Sequence, residues 1–149
     1  MHNSFPLSTK APEIKDRYMF QTNYFAAVGR LLLAIMFILS GFGKIAAPEA
    51  TQGYIASVGL PLPLLSYLLA IVVEVGGGIL LIVGYQARIV SLVIAAFTLA
   101  TALFFHNNFA DQNQMIHFLK NIAIIGGLLQ VAAFGAGALS LDARRLRTA

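Results

Sequence analysis

The sequence predicts an all-α membrane protein: a bundle of four transmembrane helices with both termini in the cytoplasm. Three observations predict it. First, 58% of the 149 residues are hydrophobic and only 11% are charged, whereas soluble domains carry roughly 25% charge. Mean hydropathy is correspondingly high, +0.79. Second, four apolar runs reach the length of about 20 residues that a helix needs to cross the hydrocarbon. They are Tyr24–Ala46, Leu64–Val83, Ala87–Phe105 and Ile116–Ala138. Third, the basic residues gather on one side of these runs. Lys10, Lys15 and Arg17 precede the first run, Arg88 lies in the turn after the second, and Arg144, Arg145 and Arg147 follow the fourth. The intervening loops, Ala47–Pro63 and His106–Met115, hold Glu49 and Asp111 but no Lys or Arg. That asymmetry puts both termini inside.

The same facts exclude other classes. The sequence pI is near 9.7, but the cations flank apolar runs instead of forming a patch, which argues against a nucleic-acid partner. With no Cys in the chain, disulfide scaffolds, thiolate metal sites and dithiol redox motifs are out. The organisation expected is a polar N-terminal tail (1–23), a membrane domain (24–138) and a basic C-terminal tail (139–149). The long polar leader, and Pro48 just after Ala46-Ala47, argue against reading the first span as a cleaved signal peptide. Pro48 should end the first helix, and Gly59-Leu60-Pro61-Leu62-Pro63 should turn the chain into the second.

Ionisable residues inside a span cost roughly 2.5–3.5 kcal/mol each at its centre, so they mark candidate sites. Glu74 lies among Ile71-Val72-Val73 and Val75, about 15 Å from the inner edge. From there a carboxylate cannot reach water, so it must be paired, protonated or in a wet cavity. Arg30, about 9 Å deep, is expected to reach inward to Glu74, about 6 Å further along the axis; the alternative is that it snorkels to headgroups. Lys44 shares a helix face with Arg30, Ala34, Phe37 and Gly41, and is either an interfacial anchor or part of the same polar centre. His117, Lys120 and Asn121 share one face of the fourth span, and His106 closes the face of Ala95, Thr98 and Ala102. His106 and His117 together read as interfacial residues before they read as metal or haem ligands, so no metal site is assigned and haem is disfavoured. Gly41, Gly77, Gly78, Gly126 and Gly127 read as close-packing positions; Gly76-Gly77-Gly78 would alternatively make room for a flat ligand beside Glu74.

These residues carry a family resemblance. Phe37-Ile38-Leu39-Ser40-Gly41-Phe42-Gly43-Lys44 resembles the F-x-x-x-G-x-x-K signature of the DoxX family. The match continues through Glu74-Val75-Gly76-Gly77-Gly78, Gly84-Tyr85-Gln86-Ala87-Arg88, Phe104-Phe105-His106, Phe118-Leu119-Lys120-Asn121 and Gly126-Gly127. It closes with Gly135-Ala136-Gly137-Ala138-Leu139-Ser140-Leu141-Asp142 and spans about residues 24 to 142. The resemblance implies a four-helix bundle in a bacterial inner membrane. It also implies a link to quinone chemistry or to oxidative and aromatic stress, since the family is named for a subunit of a thiosulfate:quinone oxidoreductase. The polar set Arg30, Lys44, Glu74, His106, Lys120 and Asn121 maps onto the family's intramembrane polar residues.

Three functions follow as expectations. The first is a quinone-linked redox component that binds a quinone or similar lipophilic aromatic. Lys44 and Lys120 would polarise its oxygens while Glu74 or a histidine moves the proton. Without thiols or a nucleotide fingerprint, a redox partner subunit or bound cofactor would supply the electrons. The second is a small proton-coupled transporter, which would need a homodimer. The third is a non-catalytic membrane scaffold.

Overall fold

The computed structural model describes residues 10–148, with side chains from residue 23 onward. Met1–Thr9 of the expected N-terminal tail lie outside the described residues. Every regular element among the described residues is helical. α1 runs unbroken over Lys10–Ala46, so much of the stretch read as a tail continues the first span. Pro12 falls in its first turn, where proline is tolerated because the N–H has no helical partner anyway. Among the described residues four segments are long and apolar enough to cross a membrane: Asn23–Ala46, Pro63–Val83, Ala87–Phe105 and Gln112–Phe134.

The loop expected over Ala47–Pro63 holds a second helix, α2 (Pro48–Ser57). Pro48 ends α1 as expected but also starts α2, since its fixed φ suits the first helical position. α2 buries Ile55 and stacks Tyr54 on Phe105, ring centroids 5.2 Å apart. It therefore lies over the predicted outer end of the bundle.

The second span is one rod in three parts: α3 (Pro63–Ile71), a single π turn (Val72–Gly76) and α4 (Gly77–Val83). The π turn falls where three β-branched valines meet a run of glycines. Both residue types weaken the α-helix, the first by crowding and the second by backbone entropy. α5 (Ala87–Phe105) and α6 (Gln112–Phe134) form a hairpin. Asp111 caps α6, its Oδ1 accepting from the Asn113 N–H at 2.8 Å. Gly135, at φ 83, ends α6 four residues earlier than the apolar run suggests. α7 (Leu141–Thr148) carries the C-terminal arginines.

Each span packs on its chain neighbour, and α6 returns to α1, so the helices stand in cyclic order with diagonal pairs barely touching. The shared core is thin: Ala34, Phe37, Leu81, Ile94, Ala95 and Leu128. Outward faces are apolar, as with Leu32, Leu39, Leu69, Val72, Ile89 and Leu119. Lipid supplies no hydrophobic force between helices, so close backbone approach must do the work. A Cβ on Gly78 would come within 2.6 Å of Ile38 Cγ1, and one on Gly77 within 2.9 Å of Ile94 Cδ1. A Cβ on Gly127 would meet Leu33 Cδ2 at 3.4 Å, an ordinary contact. Gly126 differs from the expectation of close packing: nothing lies within 4 Å of its would-be Cβ, because it faces outward.

Candidate functional site

The polar residues singled out in the sequence separate into three hydrogen-bonded groups. The central one is built on α1 and the π turn. Glu74 is 95% buried, and its carboxylate meets Lys44 Nζ at 2.9 and 2.8 Å through Oε1 and Oε2. Ser40, one turn below Lys44 on α1, joins both partners. Its hydroxyl donates to Glu74 Oε1 at 3.3 Å and accepts from Lys44 Nζ at 2.9 Å. Gly41 makes this possible. A side chain there would put its Cβ 3.3 Å from Glu74 Cβ and 2.5 Å from Val75 Cγ2, so only glycine lets α1 come this near. The burial is one-sided: Lys44 keeps 26% of its side-chain surface exposed, against 7% for Glu74.

Arg30 does not pair with Glu74. It is 96% buried and donates instead to three carbonyls: Ala136, Leu139 at 2.8 Å and Ile82 at 3.3 Å. The reason is register. Arg30 stands beside Gly84, Ala34 and Ile38 beside Gly78, and Gly41 beside Glu74. Arg30 is thus level with the C-terminal end of the second span, eleven residues or about 16 Å from the level of Glu74. The inner ends of the first two apolar runs are not aligned, and no arginine side chain spans that gap. Its charge is met there by the Ile82 carbonyl in the last turn of α4 and by two carbonyls of the segment that follows α6.

The same group explains the closing Gly135–Asp142 segment, in which Gly135-Ala136-Gly137 is expected to end the last span and Leu139-Ser140-Leu141-Asp142 to lead into a basic tail. It folds back beneath the bundle. Asp142 accepts from the Gln86 and Ala87 N–H groups at 2.7 and 2.9 Å, so it caps the start of α5 from the far end of the chain. Its own N–H donates to Gly84 O at 3.0 Å, and the Ala138 N–H donates to Asn23 Oδ1 at 3.3 Å. Arg145 lies over the Tyr85 ring, 5.3 Å from its centroid.

The third group sits at the α2 end of the hairpin. His106 and His117 stack with centroids 5.1 Å apart. His106 Nδ1 meets Gln114 Oε1 at 2.8 Å, and Lys120 Nζ meets His117 Nδ1 at 3.0 Å. Gln114 can only accept there and Lys120 can only donate. His106 therefore carries its proton on Nδ1, and His117 offers Nδ1 as a lone pair. Among the described residues no third His, Cys, Asp or Glu joins the two imidazoles as a metal site. Asn121 is half-buried beside this group and makes no described side-chain hydrogen bond.

Sequence reasoning missed Ser40, Gln114 and the capping role of Asp142. Ser40 had a legible signal, four residues before Lys44 on one helix face. Asp142 had none, because its partners are more than fifty residues away.

A buried Lys–Glu pair inside a laterally lipid-exposed four-helix bundle defines a small polytopic membrane protein with a polar centre. The comparisons give the class a family. The sequence model named DoxX matches residues 25–107, more than half of the chain, and the chain belongs to that family. It is 43% identical to the inner membrane protein YqjF of Escherichia coli over 77% of this chain and 87% of that protein. It is 36% identical to the inner membrane protein YphA of the same organism, over 78% and 87% respectively. A more distant similarity, 26% identity, reaches the ER-derived vesicles protein ERV29 of Saccharomyces cerevisiae over 90% of this chain but 38% of that protein. No solved structure is significantly similar.

Proposed function

We propose that this protein binds a quinone or related lipophilic aromatic at the Lys44–Glu74 pair, as a component of quinone-linked redox or aromatic-stress chemistry in the bacterial inner membrane. The observation that carries the reading is a cation, a carboxylate and a hydroxyl converging on one π turn near the middle of a span. Single π turns inside α-helices are rare and recur at functional sites. The donor set suits a ring oxygen. Lys44 Nζ can turn a donor toward a carbonyl, and Glu74 can hold or accept a proton at a hydroxyl. The ligand would supply two-electron chemistry, and a partner subunit the electrons. Inner-membrane location follows the two E. coli relatives.

The test is equilibrium binding of a tritiated ubiquinone analogue to the protein in lipid nanodiscs. Glu74→Gln keeps the shape of the side chain, and Lys44→Met removes the donor. Each should weaken binding by about tenfold or more, the worth of one charge-assisted hydrogen bond. Binding that is equal in all three proteins would discard the site. Glu74-dependent flux into proteoliposomes, without quinone binding, would favour the transporter.

A further inference from the structure

The polar centre has a second wall. α1 and α6 touch where Leu33 lies on Gly127. Seven residues, or two turns, further toward the α2 end, the same faces carry Ser40 on α1 and Lys120 on α6. Helices that stayed in contact would bury both, yet both are exposed. The gap between α1 and α6 is therefore open to lipid at this level, and Lys44, a quarter exposed, stands one turn beyond Ser40 on α1.

The charges along this opening do not balance. Lys44 is matched by Glu74. Lys120 has only the lone pair of His117 Nδ1 as its described partner; among the described residues Lys44–Glu74 is the one salt bridge. Around the opening stand Ser40 and Lys44 on α1, with Glu74 buried behind them, and Lys120 on α6 with His117, itself stacked on His106 at the end of α5; two ammonium groups stand against one carboxylate. An unmatched ammonium about two turns inside a span is costly, and an anionic oxygen brought by a ligand would remove the cost.

We infer that the site extends from Lys44–Glu74 across the α1–α6 opening to Lys120, and that it selects lipophilic weak acids, with an ionised ring hydroxyl, over neutral quinones. The selection rests on the quinone-site reading above but goes beyond it in the ligand's charge and in the residue that reads it. Lys120 binds the ionised oxygen, while the Lys44–Glu74 pair holds the neutral ring oxygen.

The experiment compares two probes of nearly equal size in nanodiscs: 2-decyl-1,4-naphthoquinone, which is neutral, and 3-decyl-2-hydroxy-1,4-naphthoquinone, which is an anion at pH 7. The native protein should bind the hydroxylated probe about tenfold more tightly. Lys120→Gln should shrink that ratio to less than about threefold, with the melting temperature tracked to confirm folding. Equal affinities in the native protein overturn the inference, and so does a ratio that Lys120→Gln preserves, since Lys120 is then only a headgroup anchor. If neither probe binds, the quinone-site reading itself fails. If the neutral probe binds and the anion does not bind better, that reading stands and the charge selection falls.

Discussion

At the scale of single residues, the strongest commitment is the Lys44–Glu74 pair. Burying two charges is expensive, and removing one partner leaves the other uncompensated. Lys44→Met should therefore destabilise the protein by about 3 kcal/mol or more. The double change Lys44→Met with Glu74→Leu should recover most of that loss, because both charges leave together. Thermal melts in one detergent would show it, and a double variant no more stable than the single one would contradict the pairing. Gly41→Ala should cost about 1–3 kcal/mol by overpacking, since its Cβ would press on Val75 and Glu74. Both partners of the pair were legible in the sequence: Glu74 stands out among valines, and Lys44 shares a helix face with Arg30, Ala34, Phe37 and Gly41. Their pairing was not. It depends on the axial offset between two helices, and apolar runs mark where a helix is greasy without marking where its neighbour begins. Arg30 shows this most clearly. The apolar stretch from Tyr24 suggests a residue well inside the bilayer, yet the neighbour at its level is Gly84, the turn after the second span.

Elements pose a different problem: what ends them and what holds the ends. The start of α5 carries Gln86 in the left-handed region, φ 50, with no cap from its own side chain. Asp142 fills that role from across the chain. Asp142→Ala should cost about 0.5–2 kcal/mol, the usual worth of an N-terminal cap. The loss should appear locally, as faster hydrogen exchange at the Gln86 and Ala87 amides. Unchanged protection there would mean that Asp142 is not the cap. The four long helices were readable from run length and composition. α2 was not, since its ten residues are only weakly apolar and it is held by Ile55 and by Tyr54 stacking on Phe105. Nor was the π turn, because no periodicity distinguishes it over five residues. Its one sequence trace is the meeting of Val72, Val73 and Val75 with Gly76-Gly77-Gly78.

For the whole molecule, the account depends on orientation. The distribution of basic residues leads us to expect both termini in the cytoplasm and α2 outside. The chain has no Cys, so single cysteines report cleanly. In intact cells, Gly53→Cys on α2 should react with a membrane-impermeant maleimide, whereas Leu146→Cys on α7 should react only after permeabilisation. The opposite pattern would invert the bundle and move the α1–α6 opening to the other leaflet. The fold places a thin core inside an apolar shell, with one end sealed by the returning C-terminal segment and a polar centre that opens sideways. Arg30 and Asp142 belong to the seal and Lys44, Glu74 and Lys120 to the opening, a division that composition could not draw because all five look alike as charges in an apolar chain.

The most direct test of a ligand at the polar centre is photo-labelling with a diazirine-bearing naphthoquinone in native membranes, followed by peptide mapping. Label should concentrate on residues 37–44 and 72–76 and fall sharply in Glu74→Gln. Label spread over outward residues such as Leu32, Leu69 and Leu119 to the same extent, and indifferent to Glu74→Gln, would show that the ring meets the protein only as it meets any lipid-facing surface.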